Sequence, residues 1–246
     1  MIPKRTLILA AAMISFASPA QSNACTDAEI TISAPPLSHA DQRDFVEKFR
    51  ASVAKVCAWW GGDFAGPYRI EIDENHDIAM AMIPSWRGNR GQVIFPMRTV
   101  RQGISPITHE IVHVIAPNGN RFLAEGLAVH AHDALGGQAA FPNFGDDLHT
   151  RAAALAADAD LAALERIAAP AGLRLADLRP RDAYLAAGSF VRFLIQKHGM
   201  EKFRELYAIT PLVERGRFAG LPERWRGVYG QSFDDLVAAW RATIGS

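Results

Sequence analysis

The sequence predicts an α+β chain, with a small sheet followed by a mostly helical second half, and two observations carry that prediction. Between residues 68 and 96, short β-rich runs are separated by turn residues, whereas from Ser105 onward apolar residues recur at helical spacing almost to the end. Strands gathered before helices, rather than alternating with them, mark the α+β class.

The first residues have the composition of a secretory signal: Lys4-Arg5, an apolar run from Thr6 to Ala17, then the small-residue sites Ser18-Pro19-Ala20 and Ser22-Asn23-Ala24. The apolar run is shorter than the roughly 20 residues that span a bilayer, and no other segment has the apolar length to do so. We therefore expect an exported protein, periplasmic or secreted, with residues 1–24 removed and residues 25–246 forming one domain. Within it, residues 25–100 hold an N-terminal helix and the sheet, and residues 101–246 the mostly helical part.

Loss of Lys4 and Arg5 lowers the basic count from 26 to 24 against 26 acidic residues, a net charge of −2. That balance points to neither nucleic acid nor an anionic membrane as partner. Nothing in the sequence sets an oligomeric state. The two cysteines, Cys25 and Cys57, would both reach an oxidising compartment and are expected to pair. The alternative is a lipid on Cys25, against which Ser22 counts, since it stands where a lipoprotein signal carries a Leu-like residue.

Ala40 to Trp60 places Phe45, Phe49, Val53 and Val56 at near-helical spacing and stops at Gly61-Gly62, so it reads as an amphipathic helix. Tyr68 to Ile72 alternates as a strand does, Ile78 to Ile83 is more apolar, and Gln92 to Phe95 is a β-rich run that Pro96 should confine to a sheet edge. Ser105-Pro106 provides a capping hydroxyl and a proline for a helix start, and Pro117-Asn118-Gly119 stops that helix. A second helix is expected from about Arg121 to Leu135, ending at Gly136-Gly137. Four more follow: Leu148 to Ala168, Asp182 to His198, Glu201 to Tyr207 and Phe233 to Ile244. The basic residues Arg215, Arg217, Arg224 and Arg226, offset by Glu214 and Glu223, read as a solvated loop.

The chemistry concentrates in His109-Glu110-Ile111-Val112-His113. Positions i and i+4 share a helix face, so His109 and His113 can both aim imidazole nitrogens at one Zn²⁺ roughly 2.0 to 2.1 Å away. With eight histidines and eleven glutamates in the chain, an HExxH arises by chance about one time in a hundred. A catalytic zinc needs a third protein ligand and an open position. Glu125, in Phe122-Leu-Ala-Glu125-Gly-Leu-Ala on the next helix, is the best-placed candidate, with His132 as rival, and Glu110 is left free to act as a base. His130 falls well round the helix from Glu125. His39, His76, His149 and His198 have no ligand partners at useful spacing and read as ordinary surface or core residues.

These two motifs resemble those of the gluzincin metallopeptidases, in particular the compact peptidase-MA-like proteins, in which an HExxH helix is followed by a Trp/Phe-x-x-Glu-Gly-Leu-Ala helix. Tyr184-Leu-Ala-Ala-Gly188-Ser189-Phe190 and Tyr229-Gly-Gln-Ser-Phe-Asp-Asp-Leu236 with Trp240 resemble that family's C-terminal helical signature. The resemblance spans roughly residues 65 to 244. It implies a zincin-like fold, one zinc ion per chain held by His109, His113 and Glu125, Glu110 as general base, and a twisted sheet whose edge strand borders the cleft. It also suggests Tyr184 as oxyanion donor, because a later helix of that family brings a tyrosine toward the cleft; the other role open to Tyr184 is to pack one helix on another.

The chain departs from the family in three places. Val129 stands where some gluzincins have a carboxylate that orients a zinc histidine; no Gly-x-Met-Glu-Asn element precedes the HExxH helix, which counts against an aminopeptidase; and Pro117 with Gly119 rules out a metzincin pattern. The expected function is an exported zinc endopeptidase acting on a peptide or protein, which Gln92 to Phe95 could bind by strand addition. The alternatives are a non-catalytic zincin-like binding protein and a zinc amidase acting on cell-wall peptides.

Overall fold

The computed structural model describes residues 25, 27–34, 37–62, 64–82, 90–155, 180–210 and 222–245, so the expected signal at residues 1–24 lies outside the described residues. Strand β1 (Ile30–Ser33) leads through helix α1 (His39–Trp60) to β2 (Tyr68–Asp73), followed by β3 (Met80–Ala81) and β4 (Gln92–Pro96). The four strands form one sheet in the order β1-β2-β4-β3, with β1, β2 and β4 parallel and β3 antiparallel to β4. Helices occupy most of the described remainder, so the α+β class holds.

Two elements of the sheet differ from the sequence reading. The polar stretch before α1 contains β1, whose half-buried Ile30 and Ile32 alternate with exposed Thr31 and Ser33, a pattern too short to stand out beside its polar neighbours. The run Gln92 to Phe95 is not an edge: β4 lies between β2 and β3. Pro96 is the last residue of β4, in register with Asp73, so its missing N–H falls where pairing ends. The edge strands are β1 and β3, and Met80–Ala81 is the part of the expected Ile78 to Ile83 segment described as a strand; residues 83–89 lie outside the described residues.

Helix α1 is built as its sequence demands. Ser38 accepts a hydrogen bond from the Asp41 N–H at 3.1 Å, and Gly61 closes the far end at φ 83°, a left-handed conformation that suits glycine. Its buried face packs on the sheet through aromatic edges, Phe45 and Phe49 lying 5.2 and 6.5 Å from Phe95, and Phe49 5.3 Å from Tyr68. Cys57 in its last turn is disulfide-bonded to Cys25, 32 residues away. Closing such a loop stabilises a fold by about 3 to 4 kcal/mol in the chain-entropy model, and it occupies the sulfur that a lipid would need.

The helical half follows as α2 (Met97–Arg101), α3 (Ile107–Ile115), α4 (Arg121–Ala134), α5 (Leu148–Ala153), α6 (Pro180–His198), α7 (Met200–Ala208), α8 (Pro222–Tyr229) and α9 (Phe233–Ile244). Ser105 does not cap α3; Pro106 holds the cap position, with no side-chain cap bond, and the Ser105 hydroxyl lies 3.0 Å from that of Thr99. The helix expected from Leu148 to Ala168 is described only as far as Ala153, and residues 156–179 lie outside the described residues. Helix α8 was expected as loop. It carries Arg224 and Arg226 and buries Trp225, Val228 and Tyr229, but its eight residues include Pro222 and Gly227, which mask the period. Arg215 and Arg217 lie outside the described residues.

Helix α4 packs closely on α6. A Cβ on Gly126 would lie 2.6 Å from Val191 Cγ2 and 2.8 Å from the Ala187 carbonyl, and one on Gly188 would collide with Val129. Glycine at both positions lets the two helices approach closely, which fixes the height of Glu125 above α3. Ser189, fully buried, accepts a hydrogen bond from Trp240 Nε1 at 2.9 Å and lies 2.7 Å from His149 Nδ1, tying α5, α6 and α9 together. Among the described residues no helix is long and apolar enough to cross a membrane.

His130 offers a test of this packing. It is buried, lies 5.7 Å from the Trp59 ring, and burial pushes its pKa down to about 4, with Arg192 and His149 adding to the effect. An unfolded histidine titrates near 6.5, so from about pH 6.5 to 4 the unfolded chain binds a proton that the folded chain does not, and acid lowers stability. From pH 7 to 4.5 this amounts to about 2 kcal/mol. Urea unfolding at both pH values, in chelator, should show the His130→Leu variant losing about that much less than the parent; equal losses would contradict the burial argument.

Candidate metal centre

Helices α3 and α4 form a tight pair whose connecting turn is held from three directions. Arg90 donates from Nε to the Val114 carbonyl at 3.0 Å and from Nη2 to Ile115 at 3.4 Å, satisfying the end of α3. Tyr207 on α7 donates to the Ala116 carbonyl at 2.7 Å, and Asn118 donates back to the Tyr207 carbonyl at 3.0 Å. Asn118 also accepts from the Asn120 N–H at 2.8 Å, and Asn120 caps α4 by accepting from the Leu123 N–H at 3.0 Å. With the turn fixed, α4 runs back across α3 and Glu125 comes to lie over the two histidines.

Three donor atoms then meet. His109 Nε2 and His113 Nε2 lie 3.1 and 3.2 Å from Glu125 Oε2, and 3.2 Å from each other. Among the described residues this is the one group of three or more His, Cys, Asp or Glu donors that could hold a metal ion. The spacing is what an ion requires: metal–ligand bonds of about 2.0 to 2.1 Å at tetrahedral angles put neighbouring ligand atoms about 3.3 Å apart. Three protein donors leave a fourth position of such a shell open.

The electrostatics suit a cation. Burial pushes the His109 pKa down to about 4, although the bond to Glu125 works the other way, so its lone pair is free near neutrality. Burial also opposes charge on His113, but the Glu125 carboxylate outweighs it and the net shift is upward. Glu125 is held well below the ordinary carboxylate range: desolvation is overcome by His113, His109 and Arg121. A buried anion facing two imidazoles is a site of negative potential.

Glu110 sits on the same helix, 4% exposed, and accepts a hydrogen bond from the Ala81 N–H; burial is the main cause of a pKa raised to about 7. Met82 N–H points inward to the Gln92 carbonyl at 2.9 Å, so alternation along β3 turns Ala81 outward, toward α3. The β3 edge of the sheet therefore borders α3 at Glu110, next to His109. Strand addition, expected at Gln92 to Phe95, is not available there, because β4 is paired on both sides; among the described residues β3 has no strand on its outer side.

Tyr184 on α6 lies beside the triad, its ring centre 6.3 Å from that of His109, and its hydroxyl accepts from Arg121 Nη2 at 3.2 Å. Burial raises its pKa, so the hydroxyl keeps its proton. His132, the rival ligand, is turned away: its Nε2 lies 2.7 Å from the Gln138 carbonyl. His149 faces Ser189, His76 faces Asp73 at 2.7 Å, and His198 packs between Phe193 and Tyr229.

Two contributors escaped the sequence reading. Arg121 reaches Glu125 Oε1 at 3.5 Å as well as Tyr184, holding the oxygen that faces away from the histidines; its i,i+4 spacing to Glu125 was the available signal. Ala81 acts through its backbone, which leaves no trace in sequence. Comparison of the chain with protein-family models, curated proteins and solved structures finds no match, so the geometry alone carries the reading of this site.

A divalent cation such as zinc should therefore stabilise the folded chain, by about 2.7 kcal/mol at a free concentration a hundred times the dissociation constant. Thermal unfolding with and without zinc measures this, and His113→Ala and Glu125→Ala should each lose most of the shift. A shift that survives both substitutions would place the ion elsewhere.

Proposed function

We propose that the protein is an exported zinc-dependent hydrolase of the gluzincin kind that cleaves peptide bonds. The observation that carries this reading is the convergence of three donor atoms, the one such group among the described residues, with a second buried acid, Glu110, beside the β3 edge of the sheet. Structural zinc sites are closed by four protein ligands, whereas catalytic ones keep a position open. The disulfide fits export, since such bonds persist in oxidising compartments.

His109, His113 and Glu125 would hold the ion. When bound, zinc supplies a Lewis acid that polarises a carbonyl and makes water acidic near neutral pH. Glu110 takes a proton from the attacking water and delivers it to the amide nitrogen as the C–N bond breaks, so the proton that leaves the nucleophile ends on the leaving amine. The Tyr184 hydroxyl, accepting from the Arg121 guanidinium, keeps its own hydrogen to donate to the carbonyl oxygen as charge develops there. The substrate backbone lies beside Met80–Ala81, an edge of the described sheet, which brings it next to Glu110.

Glu110→Gln keeps the size of the side chain but cannot accept the proton. It should preserve the stabilisation by zinc while hydrolysis of a quenched peptide library falls at least a thousand-fold, roughly the scale on which loss of a general base acts. Hydrolysis within ten-fold of the parent would remove Glu110 from the reaction, and an inert parent with intact zinc binding would favour a binding protein.

A further inference from the structure

The loop between α4 and α5 presents two phenylalanines to solvent next to the candidate metal centre. Among the described residues the exposed large hydrophobics are Ile78, Phe141, Phe144 and Ile209, with Phe141 38% and Phe144 48% exposed. Their position is not incidental. Phe141 packs edge-on against Tyr184 at 5.3 Å, Tyr184 lies 6.3 Å from His109, and Phe144 stands 6.4 Å beyond Phe141. A continuous line of rings thus runs from a metal-binding histidine to the surface.

The loop is also held in a shape that its own sequence does not favour. Phe144 has φ 52° and is the only described residue other than glycine with positive φ; for a bulky side chain this conformation is costly. It persists because the surroundings fix it. Phe144 N–H donates to the Ala140 carbonyl at 2.8 Å, and buried Asn143 donates from Nδ2 to Asp133 Oδ1 at 2.8 Å and to the Asp146 carbonyl at 2.7 Å. Arg181 donates to the Pro142 carbonyl at 2.8 Å while its guanidinium lies 5.1 Å over the Phe144 ring. Strain maintained by so many bonds, with two apolar rings displayed in water, marks a built surface rather than a loose loop.

We propose that Phe141 and Phe144 form a specificity subsite that receives an apolar side chain of the peptide substrate next to the bond at the metal centre, with the Tyr184 ring as its inner wall. The inference rests on the hydrolase reading and deepens it, by naming the class of peptide the site selects. The occupant follows from continuity: the rings lead through Tyr184 to the triad at which the peptide bond would be held. Covering two half-exposed aromatic rings supplies a preference of at least about ten-fold for an aromatic over a hydrogen side chain.

The test uses two probes that differ only in that side chain, N-acetyl-phenylalanine hydroxamate and N-acetyl-glycine hydroxamate, titrated calorimetrically into zinc-loaded and zinc-free protein. The zinc-loaded wild type should bind the phenylalanine probe at least ten-fold more tightly. The double variant Phe141→Ala with Phe144→Gly, in which glycine accepts the positive φ, should bring the ratio below about three-fold, and Phe141→Leu should retain a ratio above it. The glycine probe serves in each variant as the reference for the metal contribution. Equal affinities in the wild type, or a ratio that survives the double substitution, would overturn the subsite while leaving the hydrolase reading in place. Probes that bind zinc-free protein as well as zinc-loaded protein would remove both. A change in sedimentation coefficient on double substitution, with the probe ratio intact, would assign the rings to a contact between two copies and likewise overturn the proposal.

Discussion

The candidate site depends on keeping two imidazole nitrogens and a carboxylate oxygen together in a buried place, where each loses most of its contact with water. Two imidazole nitrogens and a carboxylate oxygen within 3.2 Å of one another are buried polar groups that compete for too few protons. The chain holds them there with neighbours that have no freedom to yield. Arg90, Asn118, Asn120 and Tyr207 fix the turn between α3 and α4, while Gly126 and Gly188 let α6 press α4 down onto α3. The Glu-Gly pair in the second motif is thus one device, in which Glu125 reaches the site because the residue after it has no side chain.

The sequence exposed the parts of this design that repeat with a period or carry a chemical signature. His109, Glu110 and His113 were legible because an i,i+4 pair admits few other uses, and Glu125 because a second helix had to return after Pro117. The disulfide was legible because Cys25 and Cys57 are the only cysteines. What stayed hidden acts through backbone or through long-range packing. Strand β1 is held mainly by parallel pairing with β2, the place of β4 in the sheet depends on which strands arrive beside it, and Ala81 contributes an N–H that every residue but proline owns. Pro96 misled because an edge and a strand end tolerate proline equally well.

The division of labour between the two halves of the chain follows from these contacts. The sheet with α1 makes a platform, tied by the Cys25–Cys57 bond, whose edge strand β3 lies against α3. The helical half supplies Glu125, Arg121 and Tyr184 from the other side, so the candidate site lies at the seam between the sheet layer and the helical layer. The aromatic loop at Phe141 and Phe144 extends that seam outward from the helical side.

The central claim is that His109, His113 and Glu125 are the ligands of one ion, and crystals grown with zinc and measured on both sides of its absorption edge test it most directly. The account predicts a single strong anomalous peak about 2 Å from His109 Nε2, His113 Nε2 and a Glu125 oxygen, with no fourth protein ligand. A peak whose ligands do not include Glu125, or no peak between α3 and α4 at saturating zinc, would contradict it.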